Sequence, residues 1–444
     1  MDLAGLIPQF GGFLFTLVAF IIALSVIVTI HELGHYYVGR WSGIKAEVFS
    51  LGFGPILAKR TDKHGTQWQL AALPFGGYVK FKGDANAASA TDYGALDAME
   101  AAERRQTMQG APLWARAATA AAGPIFNFIL SILVFTAFLL TSGVASDPLT
   151  VKDVYAMPGA QGLQAGDQIL AIDGQKTPEL AGFRDYVDGL PQLPELPYTV
   201  LRDGGEQVVT APHPLPPLAL AISPDSAAID ADMEEGDVIT AINGMPVGTF
   251  EQLREQVAAS DGAPLALKVW RDGTELDLTL TPRRRDLPLE EGGFETRWLI
   301  GISGGNFFEP ATRAPSIGEL ATYGVEQTSA IITSSLSGLY HMIAGSISSC
   351  NLRGPLGIAQ TSGAMASQGA ASFIWFIAVL STAVGLLNLF PIPVLDGGHL
   401  VFYAYEAVFR RPPSEGAYRI LMTMGLAVIL GLMALGLGND LFCK

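Results

Sequence analysis

The chain has 444 residues, a net charge of −15 and only 16% charged residues, and its mean hydropathy of +0.34 is too high for an ordinary water-soluble protein, so a membrane protein is the first reading. The acidic balance lacks the clustered basic face that phosphates require, which excludes nucleic acid as a partner. Two cysteines, Cys350 and Cys443, are too few for a disulfide framework or a thiolate zinc site; they read as incidental, and any metal falls to His, Asp or Glu.

In chain order, four apolar stretches reach the roughly 20 residues that a helix needs to cross a hydrocarbon core: 13–39, 114–142, 371–395 and 416–437. The first has acidic Asp2 in place of a basic leader and no small-residue cleavage site, and reads as a retained span rather than a signal peptide. Basic residues collect between the first two spans (Arg40, Lys45, Lys59, Arg60, Lys63, Lys80, Lys82, Arg104, Arg105) and between the last two (Arg410, Arg411). Those two loops are therefore expected in the cytoplasm, with both termini and the long segment from about 144 to 370 on the other side.

The first span contains HELGH at 31–35. At 3.6 residues per turn His31 and His35 share one helix face, with Glu32 beside them to take a proton from water. A five-residue pattern can be accidental, but two His and a Glu within a bilayer are costly, charges at a helix centre being placed at roughly 2.5–3.5 kcal/mol or more each, and polar groups so placed are functional by default. A catalytic zinc commonly has three protein ligands, and the residues after His35 exclude the extended zincin motif with a third histidine. Asp396 in NLFPIPVLDGGHL (388–400), with His399 close behind, is the best third ligand in the other spans. The first span reaches His31 after about 18 residues, or some 27 Å, and the third reaches Asp396 after a comparable length, so the two lie at similar depth. Pro391 and Pro393 break the helix before Asp396, and broken backbone at that depth is tolerated only where it lines an enclosed or watery cavity. Alone, LDGG could be a plain helix-ending turn.

The segment outside the membrane repeats. GLQAGDQILAIDGQ (162–175) aligns with ADMEEGDVITAINGM (231–245), and each copy is followed by a strand–Asp-Gly–strand match, VLRDGGEQV (200–208) and VWRDGTELDLTL (269–280). FRDYVDGL (183–190) and FEQLREQVAAS (250–260) between them have helical spacing, and Pro-rich 191–198 and 211–218 are stiff connections. The pattern resembles tandem PDZ domains. No GLGF-like loop precedes either repeat, so peptide binding by these modules stays open beside a size-filter role.

HELGH, AGPIFNF (122–128), NLFPIPVLDGG (388–398) and the paired modules together resemble the site-2 protease family of intramembrane zinc metalloproteases, in its RseP (regulator of sigma-E protease) branch, over nearly the whole chain. The resemblance implies one zinc ion on His31, His35 and Asp396, Glu32 as general base, and Asn388 holding substrate. It also implies that 49–60 and 68–81 form a β-hairpin dipping into the membrane, where an ordinary interfacial hairpin is the alternative. Pro391, Pro393, Gly76, Gly77 and Asn127 are further candidates for positioning substrate, although Asn127 could equally serve an interhelical hydrogen bond.

The fold class expected is a polytopic α-helical membrane protein with four transmembrane helices, tandem extracytoplasmic PDZ-like α+β domains and a membrane-associated β-hairpin. Its parts are the first transmembrane helix (1–40), hairpin or re-entrant loop with an Ala-rich insert (41–113), second helix (114–143), PDZ-like domains (144–217 and 218–283), a region with surface helices (284–370), third helix with LDGG (371–400), a cytoplasmic loop (401–415) and fourth helix (416–438). The expected function is cleavage of single-span membrane proteins in or near the bilayer of a bacterial inner membrane, with the modules periplasmic. The resemblance points to an anti-sigma factor already trimmed by another protease, and to remnant signal peptides. A PDZ-based scaffold with a vestigial zinc site is the rival reading, and a transporter, which should show paired halves, is a weaker one.

Overall fold

The structure, a computed structural model, describes residues 6–84, 99–159, 161–223, 226–289 and 293–443. Most of the insert expected near 84–110 lies outside them. The chain divides into two units: one of residues 1–137, 321–342 and 348–444, the other of 138–320 and 343–347.

Helix α1 (Leu6–Trp41) is apolar on all sides of its first 25 residues or so and carries HELGH near its end. Strands β1 (Ala46–Thr61) and β2 (Gln67–Phe81) follow. Ser50 is in register with both Tyr78 and Gln69, so the first arm of β1 lies between the two arms of β2, and Ile56–Thr61 pairs with 67–71. A buried cluster of Tyr36, Ile44, Phe49, Val79, Phe81 and Ala115 fastens this sheet to the end of α1 and the start of α2 (Leu113–Ser142). Asp62 pins the turn between the strands, accepting hydrogen bonds from Tyr36 Oη, Trp68 Nε1 and the backbone N–H groups of His64 and Thr66.

In the second unit each sequence repeat becomes a strand, a helix and a hairpin. The first has β3 (Val151–Val154), β4 (Gln168–Ile172), α3 (Phe183–Asp188), β5 (Glu195–Arg202) and β6 (Gly205–Pro212). The second has β7 (Ala221–Ile222), β8 (Val238–Ile242), α4 (Phe250–Ala259), β9 (Leu265–Arg271) and β10 (Thr274–Leu280). The repeated GD and RDG motifs turn out to be two ends of one ion pair. Arg202 binds Asp167 through Nε and Nη2, both at 2.7 Å, and Arg271 binds Asp237 at 2.6 and 2.8 Å. Both carboxylates are buried, and each also accepts a backbone N–H three residues upstream, so the pair closes the same turn in each copy.

The region 284–370, expected to hold surface helices after a boundary at 283, begins differently. Residues 283–313 are mostly strand: β11 (Arg283–Pro288) pairs with β12 (Phe294–Leu299), while β13 (Ile302–Ser303) pairs with β7 and β14 (Phe308–Pro310) with β3. Each repeat therefore receives a strand from beyond the second one, because an edge strand left unpaired inside the repeat is completed by whichever segment returns to it.

The chain continues through α5 (Ile317–Ile343), α6 (Pro355–Ser367), α7 (Ala370–Asn388), α8 (Asp396–Phe409) and α9 (Glu415–Phe442). Among the described residues α1, α2, α7 and α9 are long and apolar enough to cross a membrane, and α5 is not among them. The expected loop over 401–415 is mostly the rest of α8; the third span ends as a helix at Asn388, and a new helix starts at Asp396. Ile27 and Ala23 of α1 are buried with Ile377 of α7, and Ser131 Oγ donates to the Ala378 carbonyl at 2.8 Å while Ser381 Oγ donates to that of Asn127 at 2.9 Å. Small residues and hydroxyls supply the interhelical contact that hydrophobicity cannot supply in lipid.

The cysteines are not incidental. Cys350 and Cys443 form a disulfide. Beside it Asn439 Nδ2 donates to the carbonyls of Ser349 and Leu352, and Asp440 accepts the backbone N–H groups of Gly354 and Gly357 at the first turn of α6. Sequence separation of 93 residues hid the pair.

Candidate metal centre

His31 and His35, one turn apart on α1, direct their Nε2 atoms to within 3.1 Å of each other. Asp396 Oδ2 lies 3.1 Å from the first and 3.5 Å from the second. A tetrahedral zinc with ligand bonds of about 2.0–2.1 Å needs donors about 3.3–3.4 Å apart, so the triangle has the size that zinc requires. Asp396 Oδ2 is buried and accepts no hydrogen bond, which is costly for a carboxylate unless a cation answers it. Among the described residues these three are a group that could hold a metal ion. Asp396 opens α8, where the helix dipole favours an anion; the break after Asn388, with Pro391 and Pro393, lets the chain restart there.

The imidazoles are held from behind. His35 Nδ1 is 2.8 Å from the Thr119 carbonyl, so it carries the proton and leaves the Nε2 lone pair free for metal. His31 Nδ1 faces the side-chain amide of fully buried Asn127, with Nδ2 at 3.2 Å and Oδ1 unpartnered. Ligation through Nε2 puts the proton of His31 on Nδ1, and turning the amide then gives that proton to Oδ1. The sequence offered Asn127 either for positioning substrate or for an interhelical hydrogen bond, and its contact with His31 joins α2 to α1.

Two glycines allow this proximity. A β-carbon at Gly34, inside HELGH, would meet the Ala122 carbonyl oxygen at 2.4 Å, and one at Gly123 would strike both imidazoles. Helices α1 and α2 thus touch backbone to side chain at the metal site, a role that AGPIFNF could have signalled through its small residues.

His31, Glu32, His35 and Asp396 line one cavity of about 340 Å³, together with Gly77, Tyr78, Asn388 and His399. Of the other candidates for positioning substrate, Gly76, Pro391 and Pro393, like Asn127, are not in its lining. Gly76 (φ 146°) packs its backbone on the Phe53 ring, and Pro393 packs on Gly398 and Gly425. Gly77 has the reason for being glycine that sequence could not show: a β-carbon there would meet the Ser50 carbonyl at 2.7 Å and Glu32 Cγ at 3.6 Å. Further along the cavity Arg116 makes a two-pronged ion pair with Glu406, at 3.0 and 2.6 Å, beneath the Tyr403 ring; sequence reading passed over both.

Four membrane-length helices with a His-His-Asp donor set and an adjacent glutamate define a metalloprotease of the membrane-embedded class. The model of peptidase family M50 matches residues 19–432, and the chain belongs to that family of zinc metalloproteases. A candidate zinc metalloprotease of Agrobacterium fabrum is 38% identical over 429 residues, covering 96% of this chain and 95% of that protein. Metalloprotease MmpA of Caulobacter vibrioides is 34% identical, covering 97% and 96%, and a candidate zinc metalloprotease of Vibrio cholerae is 30% identical, covering 96% and 98%.

Proposed function

We propose that the chain hydrolyses peptide bonds of single-span membrane proteins in or near the bilayer, with His31, His35 and Asp396 as the zinc ligands and Glu32 as the general base. The observation that carries this reading is the convergence of three donor atoms from α1 and α8 in a cavity that Glu32 also lines. When bound, zinc polarises the scissile carbonyl and lowers the pKa of water. Glu32 accepts the proton of the attacking water and delivers it to the leaving amine. Thr119 and Asn127 keep the two imidazoles in the ligating tautomer. A substrate helix must unwind to expose its amide, and Gly77, Tyr78 and Val79 of β2 border the same cavity; their strand can hold the unwound segment by strand addition, with Asn388 on the cavity wall as a further contact.

The topology proposed puts the loops at 41–113 and 410–415 in the cytoplasm and the repeats in the periplasm of a bacterial inner membrane. The Cys350–Cys443 disulfide supports it, since both residues then face the oxidising side. The substrate class proposed, on family resemblance, is an anti-sigma factor after a first cut, and remnant signal peptides. The repeats act as PDZ-like modules that filter or bind what approaches.

The test uses purified full-length protein and a single-span model substrate. Glu32→Gln should retain zinc and lose cleavage, while Asp396→Asn should lose zinc. Normal turnover by Glu32→Gln would overturn the mechanism.

A further inference from the structure

We propose that His399 is a catalytic residue of this reaction, donating a hydrogen bond to the scissile carbonyl oxygen as it becomes an oxyanion; the inference rests on the hydrolytic reading of the site. His399 stands three residues after Asp396 on α8, so the two side chains leave the same helix face about one turn apart. It lines the cavity shared by Glu32 and the three metal-holding residues, and it is half-buried. Its ring meets Phe402 edge-on, with centroids 6.2 Å apart. Among the described residues its ring nitrogens have no hydrogen bond or ion pair.

Several neighbouring polar groups are already engaged. The Nδ1 atoms of His31 and His35 face Asn127 and Thr119, their Nε2 atoms face Asp396, and Asn388 Nδ2 donates to the Val384 carbonyl at 3.1 Å. His399 is an uncommitted N–H donor on the wall of a site that needs one. Attack on an amide turns a neutral carbonyl oxygen into an anion, and a preorganised donor aimed at that oxygen gains most at that moment.

In the step, the water oxygen bonds to the carbonyl carbon as its proton passes to Glu32. The C–N bond then breaks as Glu32 gives that proton to the amine. His399 donates throughout as a neutral imidazole and keeps its own proton, so its contribution leaves the balance of atoms and charge unchanged.

Three measurements on full-length protein in detergent test this. Zinc content is measured for His399→Ala and His399→Gln. Substrate affinity is measured with each change added to Glu32→Gln. Cleavage and inhibition by a phosphinic peptide, a transition-state mimic, are measured for each change alone. His399→Ala should keep one zinc and bind substrate within about twofold, yet lose roughly 10²–10³-fold in kcat and a similar factor in phosphinic-peptide affinity; His399→Gln, which keeps an N–H donor, should recover part of both. Zinc loss, a fall in substrate affinity as large as the fall in kcat/KM, or unchanged cleavage would each overturn it. Failure of the unsubstituted chain to cleave would instead overturn the hydrolytic reading itself.

Discussion

Gly123 of α2 lies so close to His35 of α1 that a β-carbon at this position would stand 2.4 Å from the imidazole Nε2, and 2.7 Å from Cε1 and Nε2 of His31. Two of the obstructed atoms, the Nε2 atoms of His31 and His35, are the proposed metal donors. Gly123→Ala should therefore lower zinc affinity at least tenfold, with cleavage falling in parallel and helical content by circular dichroism unchanged. Full zinc with full activity would mean that α2 can retreat.

Asn127 supports His31 through one hydrogen bond, and partners of this kind typically contribute 10–100-fold in metal affinity. Asn127→Ala should release zinc that much more readily in competition with a chelator. Asn127→Asp, which keeps an acceptor for Nδ1–H, should lose less than Asn127→Ala; the opposite order would show that the amide donates rather than accepts.

Arg116 and Glu406 pair with side chains only 10% and 20% exposed. Removing one member of such a pair strands the other charge, at about 3–5 kcal/mol. Glu406→Gln should lower the thermal midpoint in detergent clearly, and the double change to leucines should cost less than Glu406→Gln alone.

Reduction of Cys350–Cys443 removes the covalent tie between the C-terminal end of α9 and the short turn at Ser349–Asn351 that precedes α6. The non-reduced protein should migrate faster in a denaturing gel, and Cys350→Ser should lose roughly 2–4 kcal/mol of stability while zinc content stays at one. Equal mobility with and without reductant would show that the bond does not form.

Asp62 ties the β1–β2 turn to α1. Burial pushes its carboxyl upward, but donors from Trp68, Thr66, His64 and Tyr36 outweigh that and hold it at about 2. Because the folded value lies below the ordinary one near 4, the stabilisation is complete above about pH 4 and disappears as pH falls towards 2. Trp68 fluorescence should report loosening of the turn across that window, and Asp62→Asn should remove the transition.

Much of this protein was legible in its sequence. Four apolar stretches, HELGH on one helix face and the duplicated GD and RDG motifs are patterns of period, length and spacing, which a chain carries locally. Asp396 was legible because a carboxylate at membrane depth is costly and rare. What only the tertiary structure decided concerns contacts between distant segments. Asn127 reaches across from α2 to His31, and Gly34 and Gly123 are needed because the two helices approach each other at the candidate metal site. Residues 302–310 complete sheets begun near 151 and 221, and Cys350 reaches Cys443 across 93 residues. Local periodicity says which face of an element is apolar, but it does not say which distant element will meet that face, and here the meeting is what brings Asp396 to the two histidines as a third converging donor.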